Sequence, residues 1–187
     1  MKRFLSLLLV LALVICMTFC LASCTSDDKD GGDNGGGSSN KTQDVAVSGY
    51  SFKIPSEYTL LTSTEGNSVY TNLSNGDTIA IVISKSVAPK DQEFTGGFVK
   101  DTQDFINSYT SSGVSVSDVV IINGNQSQTI TYKSEVGGLI IYGKLSMRYT
   151  RSLITVDDEE KYEYTFFTVS VASQSTTYPK VTFGTEE

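Results

Sequence analysis

Hydrophobic and polar residues alternate along most of the chain from residue 44 to 172, with the period of two that is typical of β-strands. The first predicted strands are Tyr50–Ile54, Tyr58–Thr62 and Ser68–Leu73. The pair Asn75-Gly76 then precedes the run Thr78–Ile83, and Asn-Gly supplies the backbone angles of a hairpin turn. Because Thr78–Ile83 is nearly all apolar, we expect a central strand that is covered on both faces.

The period changes between Asp91 and Thr110, where apolar residues recur at the three- and four-residue spacing of a helix. One stripe of this helix carries the aromatic residues Phe94, Phe98, Phe105 and Tyr109. An aromatic stripe can line a ligand pocket, but packing against a sheet is the commoner reason for it. We therefore predict one main amphipathic helix whose aromatic side chains belong to the core.

From Val114 onward the pattern returns to strands that are joined by short connections. The predicted strands are Val114–Ile122, Ser127–Lys133, Leu139–Tyr149, Leu153–Val156 and Tyr162–Ala172. Short connections favour an antiparallel meander. The large residues of the last strand change from even to odd positions at Phe166 and Phe167, which predicts either a β-bulge or burial of both faces. After Ser173 we expect an irregular tail or a short terminal piece.

Together these elements predict an α+β domain, with an antiparallel sheet of roughly seven to nine strands packed against one main amphipathic helix. The run VSGYSFKIPSEY from Val47 to Tyr58 resembles the opening strand of PsbP-like domains. The order of strands, helix and meander is similar too, although the C-terminal helix usual in that family is not evident. The resemblance implies a PsbP-like α/β sandwich, a fold group that includes DcrB-like bacterial lipoproteins. It implies protein or ligand contacts without a shared catalytic set.

The first 24 residues have the layout of an export signal, with a basic start followed by an apolar run from Phe4 to Phe19. The segment LASC that ends at Cys24 resembles the lipobox of bacterial lipoproteins. In that family the cysteine thiol receives a diacylglycerol and the signal is cut before it. The resemblance implies a signal peptide over residues 1–23, lipid attachment at Cys24 and a location on the extracytoplasmic face of the cell membrane.

The cysteines have two alternative interpretations. An uncleaved membrane helix is possible because Phe4–Ala22 is just long enough to span a bilayer. A metal or redox site is a poor competitor, since the chain has no histidine and no carboxylate before Asp27. The polar, glycine-rich run Thr25–Asn40 cannot bury enough apolar surface to fold. We expect a flexible tether over residues 24–43 and one globular domain over 44–187.

Composition narrows the chemistry of the exported part. Without Lys2 and Arg3, 12 basic residues face 21 acidic ones, a formal charge of −9. A nucleic-acid partner is therefore not expected, because such binding depends on neutralising phosphates. The chain has no histidine, and Cys24 is the only cysteine after the leader, which argues against Ser-His-Asp and Cys-His catalysis and the usual zinc sites. We predict no catalytic residues, no metal and no cofactor.

One strand carries a candidate binding surface. Lys144, Ser146 and Arg148 alternate with apolar residues, so their side chains share a solvent face, with Thr129, Thr131 and Lys133 opposite or adjacent. The candidate ligand-binding residues are Lys144, Arg148 and Lys133, for an anionic or polysaccharide group. The alternative is an ordinary soluble sheet surface.

The acidic run Asp157–Glu160 is the second candidate, but consecutive side chains in a turn point apart and suit a solvated loop better than a calcium site. The ten tyrosines are the third; they can stack on sugars, but they also favour strands.

From these features we expect a lipid-anchored, non-catalytic binding or interaction module at the cell envelope, with an unknown protein or envelope ligand as its partner. One alternative is a carboxylate-dependent envelope hydrolase, which needs two acids about 5 to 10 Å apart. The other is a structural or assembly accessory of a membrane complex.

Overall fold

The computed structural model describes residues 41–91, 98–110 and 114–186. The predicted signal peptide, Cys24, residues 24–40 of the predicted tether and Phe94 lie outside the described residues. The described strands are β1 (Thr42–Val47), β2 (Tyr50–Pro55), β3 (Thr59–Thr64), β4 (Asn67–Thr71), β5 (Thr78–Pro89), β6 (Ser115–Gly124), β7 (Ser127–Val136), β8 (Leu139–Val156), β9 (Glu159–Ser173) and β10 (Thr182–Glu186). A helix, α1 (Thr102–Thr110), lies between β5 and β6.

The strands form two antiparallel sheets. The larger has seven strands in the order β3-β4-β5-β9-β8-β7-β6, and the smaller has three in the order β1-β2-β10. The predicted α+β class with antiparallel pairing is confirmed. The prediction of a single sheet is wrong, because β2 pairs with β1 on one side and with the C-terminal β10 on the other. The turn between β1 and β2 uses positive φ angles at Ser48 and Gly49, which lets the two strands pair directly.

The two sheets pack face to face, and the apolar side chains on the facing surfaces form a core between them. Its buried members are Val47, Phe52, Ile54, Tyr58, Tyr70, Ile79, Ile81, Ile83, Phe167, Val169 and Val171. Strand β5 lies between β4 and β9, and its first four residues are buried on both faces, as predicted for Thr78–Ile83. Each Å² of apolar surface that is removed from water stabilises the fold by about 25 cal/mol, so this core holds the small sheet against the large sheet.

The helix is shorter than the sequence predicted. Residues Phe98–Lys100 are not helical, and α1 begins at Thr102 rather than near Asp91. The carboxylate of Asp101 accepts a hydrogen bond from the backbone N–H of Asp104 at 2.9 Å, which makes Asp101 the N-terminal cap. Phe105 is buried in a second core, on the face of the large sheet opposite the small sheet, and Tyr109 is partly buried beside it. We call this second core the helix-side core.

Several strand boundaries also differ from expectation. The predicted strands Leu139–Tyr149 and Leu153–Val156 form one continuous strand, β8, because Thr150, Arg151 and Ser152 all pair with β9. No register shift occurs at Phe166, so the burial-of-both-faces alternative is confirmed and the bulge is wrong. The hairpin at Asn75-Gly76 is confirmed, but it is wider than a two-residue turn because pairing resumes at Thr71 and Thr78.

Candidate functional site

Register brings the predicted binding residues together on one face of the large sheet. Thr131 lies opposite Lys144, and Thr129 lies opposite Ser146. Directly opposed residues of an antiparallel pair project to the same side, so these side chains are neighbours. We call this surface the basic shelf; it comprises Thr129, Thr131, Lys133, Lys144, Ser146 and Arg148.

The opposite side of β8 explains why the alternation is so regular. Leu145 and Met147 are buried against the helix-side core. Gly143 lies beneath the ring of Tyr132, and a Cβ at this position would come within 2.1 Å of the ring. One side of β8 is therefore packed so closely that a side chain at Gly143 would clash with Tyr132, whereas the other side forms the basic shelf.

The basic shelf is not the fully open face that the sequence predicted. The small sheet covers the neighbouring part of the same face, and two of its flanking aromatic residues contact the shelf cations. The Nζ of Lys144 lies 5.9 Å from the ring centre of Tyr178. The guanidinium carbon of Arg148 lies 5.1 Å from the ring centre of Phe167 and 4.9 Å from that of Phe183. Lys144 and Arg148 are both half-buried beside these rings. We call Phe167, Tyr178 and Phe183 the aromatic wall.

A hydrogen bond from Tyr178 also holds the C-terminal segment against β8. The Tyr178 hydroxyl donates to the backbone carbonyl of Gly143 at 3.2 Å. Burial, followed by the neighbouring Tyr142, raises the pKa of the Tyr178 phenol, so it stays a protonated donor at neutral pH. Sequence reasoning missed Tyr178 and Phe183 because the tail has little periodicity; its signal was a pair of large aromatic residues in an otherwise polar segment.

The shelf cations have no carboxylate partner in the described part of the chain, where the salt bridges involve Lys53, Lys85, Lys90 and Lys161. The Nε of Arg148 is buried and has no hydrogen-bond partner among the described residues. A buried N–H donor without an acceptor is costly. An acidic side chain, Glu135, follows Lys133 by two residues on β7 and is exposed.

An apolar rim borders the shelf on the side away from the aromatic wall. Val120 and Ile122 on β6 are 53 % and 62 % exposed. They lie opposite Thr131 and Thr129, and therefore on the shelf face. The surface thus passes from an apolar rim through hydroxyl groups and cations to aromatic rings. Such a set of groups can hold an anionic or polyhydroxylated ligand.

The acidic turn forms the tip of the β8–β9 hairpin. Asp157 and Asp158 both have positive φ angles, as in a two-residue hairpin turn. Glu159 pairs with Lys161 at 3.2 Å, and Glu160 pairs with Lys90 at 2.7 Å. Across the described ranges, no group of three or more Asp, Glu, His or Cys side chains could hold a metal ion.

Acidic residues elsewhere bear on the hydrolase alternative. Asp77 is the one acid classed as buried among residues whose exposure is described. Its carboxylate accepts a hydrogen bond from the Asn75 amide at 3.0 Å, and its backbone N–H donates to the Asn75 side chain. Asp77 therefore serves the turn between β4 and β5.

A scan against models of known protein families matched none, and a search of the curated proteins found no relative. Within residues 41–91, 98–110 and 114–186, no helix combines the length and apolar character needed to cross a bilayer.

Proposed function

We propose that this chain is a lipid-anchored, extracytoplasmic binding module without catalytic activity. Its basic shelf receives an anionic group on a ligand of the cell envelope. The observation that carries the proposal is the pairing of β7 with β8, which brings three cations beside a row of hydroxyl groups; none of the three has a carboxylate partner among the described residues. Charged hydrogen bonds of this kind are the stronger class in proteins.

The half-buried state of the cations also supports binding. Arg148 is positioned by the rings of Phe167 and Phe183, so little side-chain freedom remains to be lost when an anion arrives. Its Nε–H has no acceptor among the described residues. Hydroxyl groups of Thr129, Thr131 and Ser146 add donors that suit a sugar or a phosphate oxygen.

The fold family is part of the same proposal. The PsbP-like opening motif from Val47 to Tyr58 contributes the end of β1, the first turn and β2. The described α1 lies between β5 and β6, and we propose that it is the main amphipathic helix of this sandwich. Membership of this sandwich group would support a role in contacts rather than catalysis.

Binding to defined surfaces tests the shelf. Mature protein is passed over immobilised polygalacturonate, with uncharged dextran as the reference surface. We expect binding to polygalacturonate that weakens at least tenfold when Lys144→Glu and Arg148→Glu are combined, since one lost charged hydrogen bond already exceeds a tenfold effect. The matched control is Lys53→Glu with Lys85→Glu, which reverses two lysines away from the shelf. Equal weakening in both double variants would contradict the proposal.

Lipid attachment has its own test. Mass spectrometry of protein purified from membranes should find an acylated Cys24 as the first residue, and Cys24→Ser should release the chain from the membrane fraction. An unmodified Cys24 in the native protein would contradict the anchor and leave the shelf experiment unaffected.

A further inference from the structure

Three exposed leucines lie at one edge of the large sheet. Leu60 is 58 % exposed, Leu61 45 % and Leu73 80 %. Strand β3 is the edge strand here, and all six of its residues are exposed. Exposed apolar side chains gathered at one place commonly mark a contact surface. We call these three residues the leucine edge.

Pairing between β3 and β4 brings the leucines to the same corner. Thr59 lies opposite Thr71, and its hydroxyl donates to the Thr71 carbonyl at 3.3 Å. Leu60 follows Thr59, and Leu73 comes two residues after Thr71, so Leu73 lies beyond the start of β3. The leucine edge therefore extends from the edge strand to the turn that follows β4.

This corner is also where the chain from the N-terminal region joins the domain. The Ser56 N–H donates to the Lys41 carbonyl at 3.0 Å, and the Gln43 side chain donates to the Tyr58 carbonyl. Residues 56–58 lead directly into β3. Lys41 is thus attached beside the start of the leucine edge.

We propose that the leucine edge docks on the lipid surface to which Cys24 is anchored; this rests on the proposed lipid attachment. Sixteen residues separate Cys24 from Lys41, so the covalent chain spans about 60 Å at most. The anchor keeps the corner close to the bilayer and makes its contact with lipid an intramolecular event. Apolar side chains then gain by entering the headgroup boundary.

The residues around the leucines fit a lipid surface better than a charged partner. Strand β3 reads TLLTST and contains no charged side chain; the nearest charges along the chain are the exposed acids Glu57 and Glu65, which lie just outside its two ends. Docking here would also orient the domain. Strands β3 and β6 are the two edges of the seven-stranded sheet, and six spacings of about 4.8 Å place β6 about 29 Å from β3. The basic shelf, on β8 and β7, would then lie four to five spacings, about 19 to 24 Å, from the docked edge.

A pair of fluorescent probes tests the docking. Acylated full-length mature protein is reconstituted into phosphatidylcholine vesicles with brominated acyl chains, after Thr62→Cys or Ser152→Cys is labelled with a polarity-sensitive dye. Both positions are exposed, and Ser152 lies near the far end of β8. We expect quenching at residue 62 to be at least threefold stronger than at residue 152. Similar quenching at both positions would overturn the proposal.

Substitution of the leucines provides the second arm. Leu60→Ser, Leu61→Ser and Leu73→Ser combined should abolish the extra quenching at residue 62, whereas Leu153→Ser, a 49 % exposed leucine at the other end of the sheet, should leave it unchanged. Circular dichroism checks the fold of each variant. Persistence of the quenching in the triple variant would overturn the proposal, as would quenching that requires phosphatidylglycerol and disappears with Lys144→Glu and Arg148→Glu.

The anchor and the docking can fail separately. Cys24 is the only cysteine after the leader, and its sulfur cannot take the dye once it carries a thioether. Dye labelling of the parent protein without an introduced cysteine would reveal a free Cys24 and contradict the anchor. An unlabelled parent together with unquenched residue 62 would contradict the docking alone.

Discussion

Two halves of the same sheet face differ sharply in chemistry. Under the small sheet, β5 and β9 present Ile79, Ile81, Val169 and Val171, all buried. Two strands further along, β7 and β8 present threonine, serine, lysine and arginine, all half-buried. The first half contributes to the core between the sheets, whereas the second half remains partly exposed to solvent.

The two halves meet at Arg148. Arg148 lies opposite Phe167 of β9 and contacts its ring, while Phe183 of the small sheet contacts the same guanidinium. The long side chain covers apolar surface and keeps a charge at the edge of the core. The change from buried core to partly exposed polar surface therefore takes place within one strand spacing.

The largest expected effect is in the covered half. Ile81 is completely buried between the sheets, so Ile81→Ala should lower the free energy of unfolding by about 2 to 5 kcal/mol. The matched change in the open half, Thr131→Ala, should cost about 0.5 kcal/mol or less. Urea unfolding of both variants measures the difference. Equal losses would mean that the two halves do not differ in packing.

The part of the large sheet that carries the basic shelf is also packed on its opposite face, where Gln128 bonds to the backbone of Val99. Gln128 on β7 is 2 % exposed; its amide donates to the Val99 carbonyl at 2.8 Å and accepts from the Val99 N–H at 2.9 Å. Gln128→Leu leaves both Val99 groups without these partners, and we expect a loss of about 2 kcal/mol in urea unfolding. Gln103→Leu, at an exposed position on α1, is the control and should change stability little. Unchanged stability in Gln128→Leu would contradict this role of Gln128.

Alkaline pH should weaken the covered half. Burial, then the carboxylates of Asp77 and Glu57, raise the pKa of Tyr58 above its ordinary value of 10.0. Above pH 10.0 the unfolded chain loses this proton while the folded chain keeps it, so the free energy of unfolding falls as pH rises, by up to about 1.4 kcal/mol per pH unit. Below that pH the group adds no dependence. Tyr58→Phe should flatten the decline in unfolding experiments between pH 9 and 11; an unchanged slope would show that Tyr58 is not its source.

The smallest effect concerns the border itself. Arg148→Met keeps most of the apolar stem and removes the charge, so we expect a loss of about 1 kcal/mol from the contacts with Phe167 and Phe183. Lys144→Met should cost less, because the ammonium group lies 5.9 Å from a single ring. Thermal unfolding compares the two. A loss above about 3 kcal/mol for Arg148→Met would make the cation part of the core rather than of the shelf.

Local sequence patterns predicted much of the large sheet. The alternation in β8 correctly separated Leu145 and Met147 from Lys144 and Arg148, because a half-buried strand must place its two sets of side chains on opposite faces. The apolar run at the start of β5 likewise indicated a central strand. Which face of a strand a side chain occupies follows from the local alternation, so it could be predicted without knowing which strands pair.

Long-range pairing was not readable. Strand β10 joins β2 across more than one hundred residues, and the short segment Thr182–Glu186 carries no distinctive alternation. The aromatic wall of the shelf depends on that pairing, so Phe183 could not be assigned to the site. The helix start was available in principle, since Asp101 followed by Asp104 is a capping arrangement.

A residue-by-residue titration tests the shelf most directly. Amide chemical shifts of ¹⁵N-labelled mature protein in detergent micelles are followed as polygalacturonate oligomers are added. We expect changes concentrated at Thr129–Lys133, Lys144–Arg148 and Tyr178, and we expect them to vanish in the double variant Lys144→Glu and Arg148→Glu. Saturable changes centred on another surface, or the same map in the double variant, would contradict this expectation.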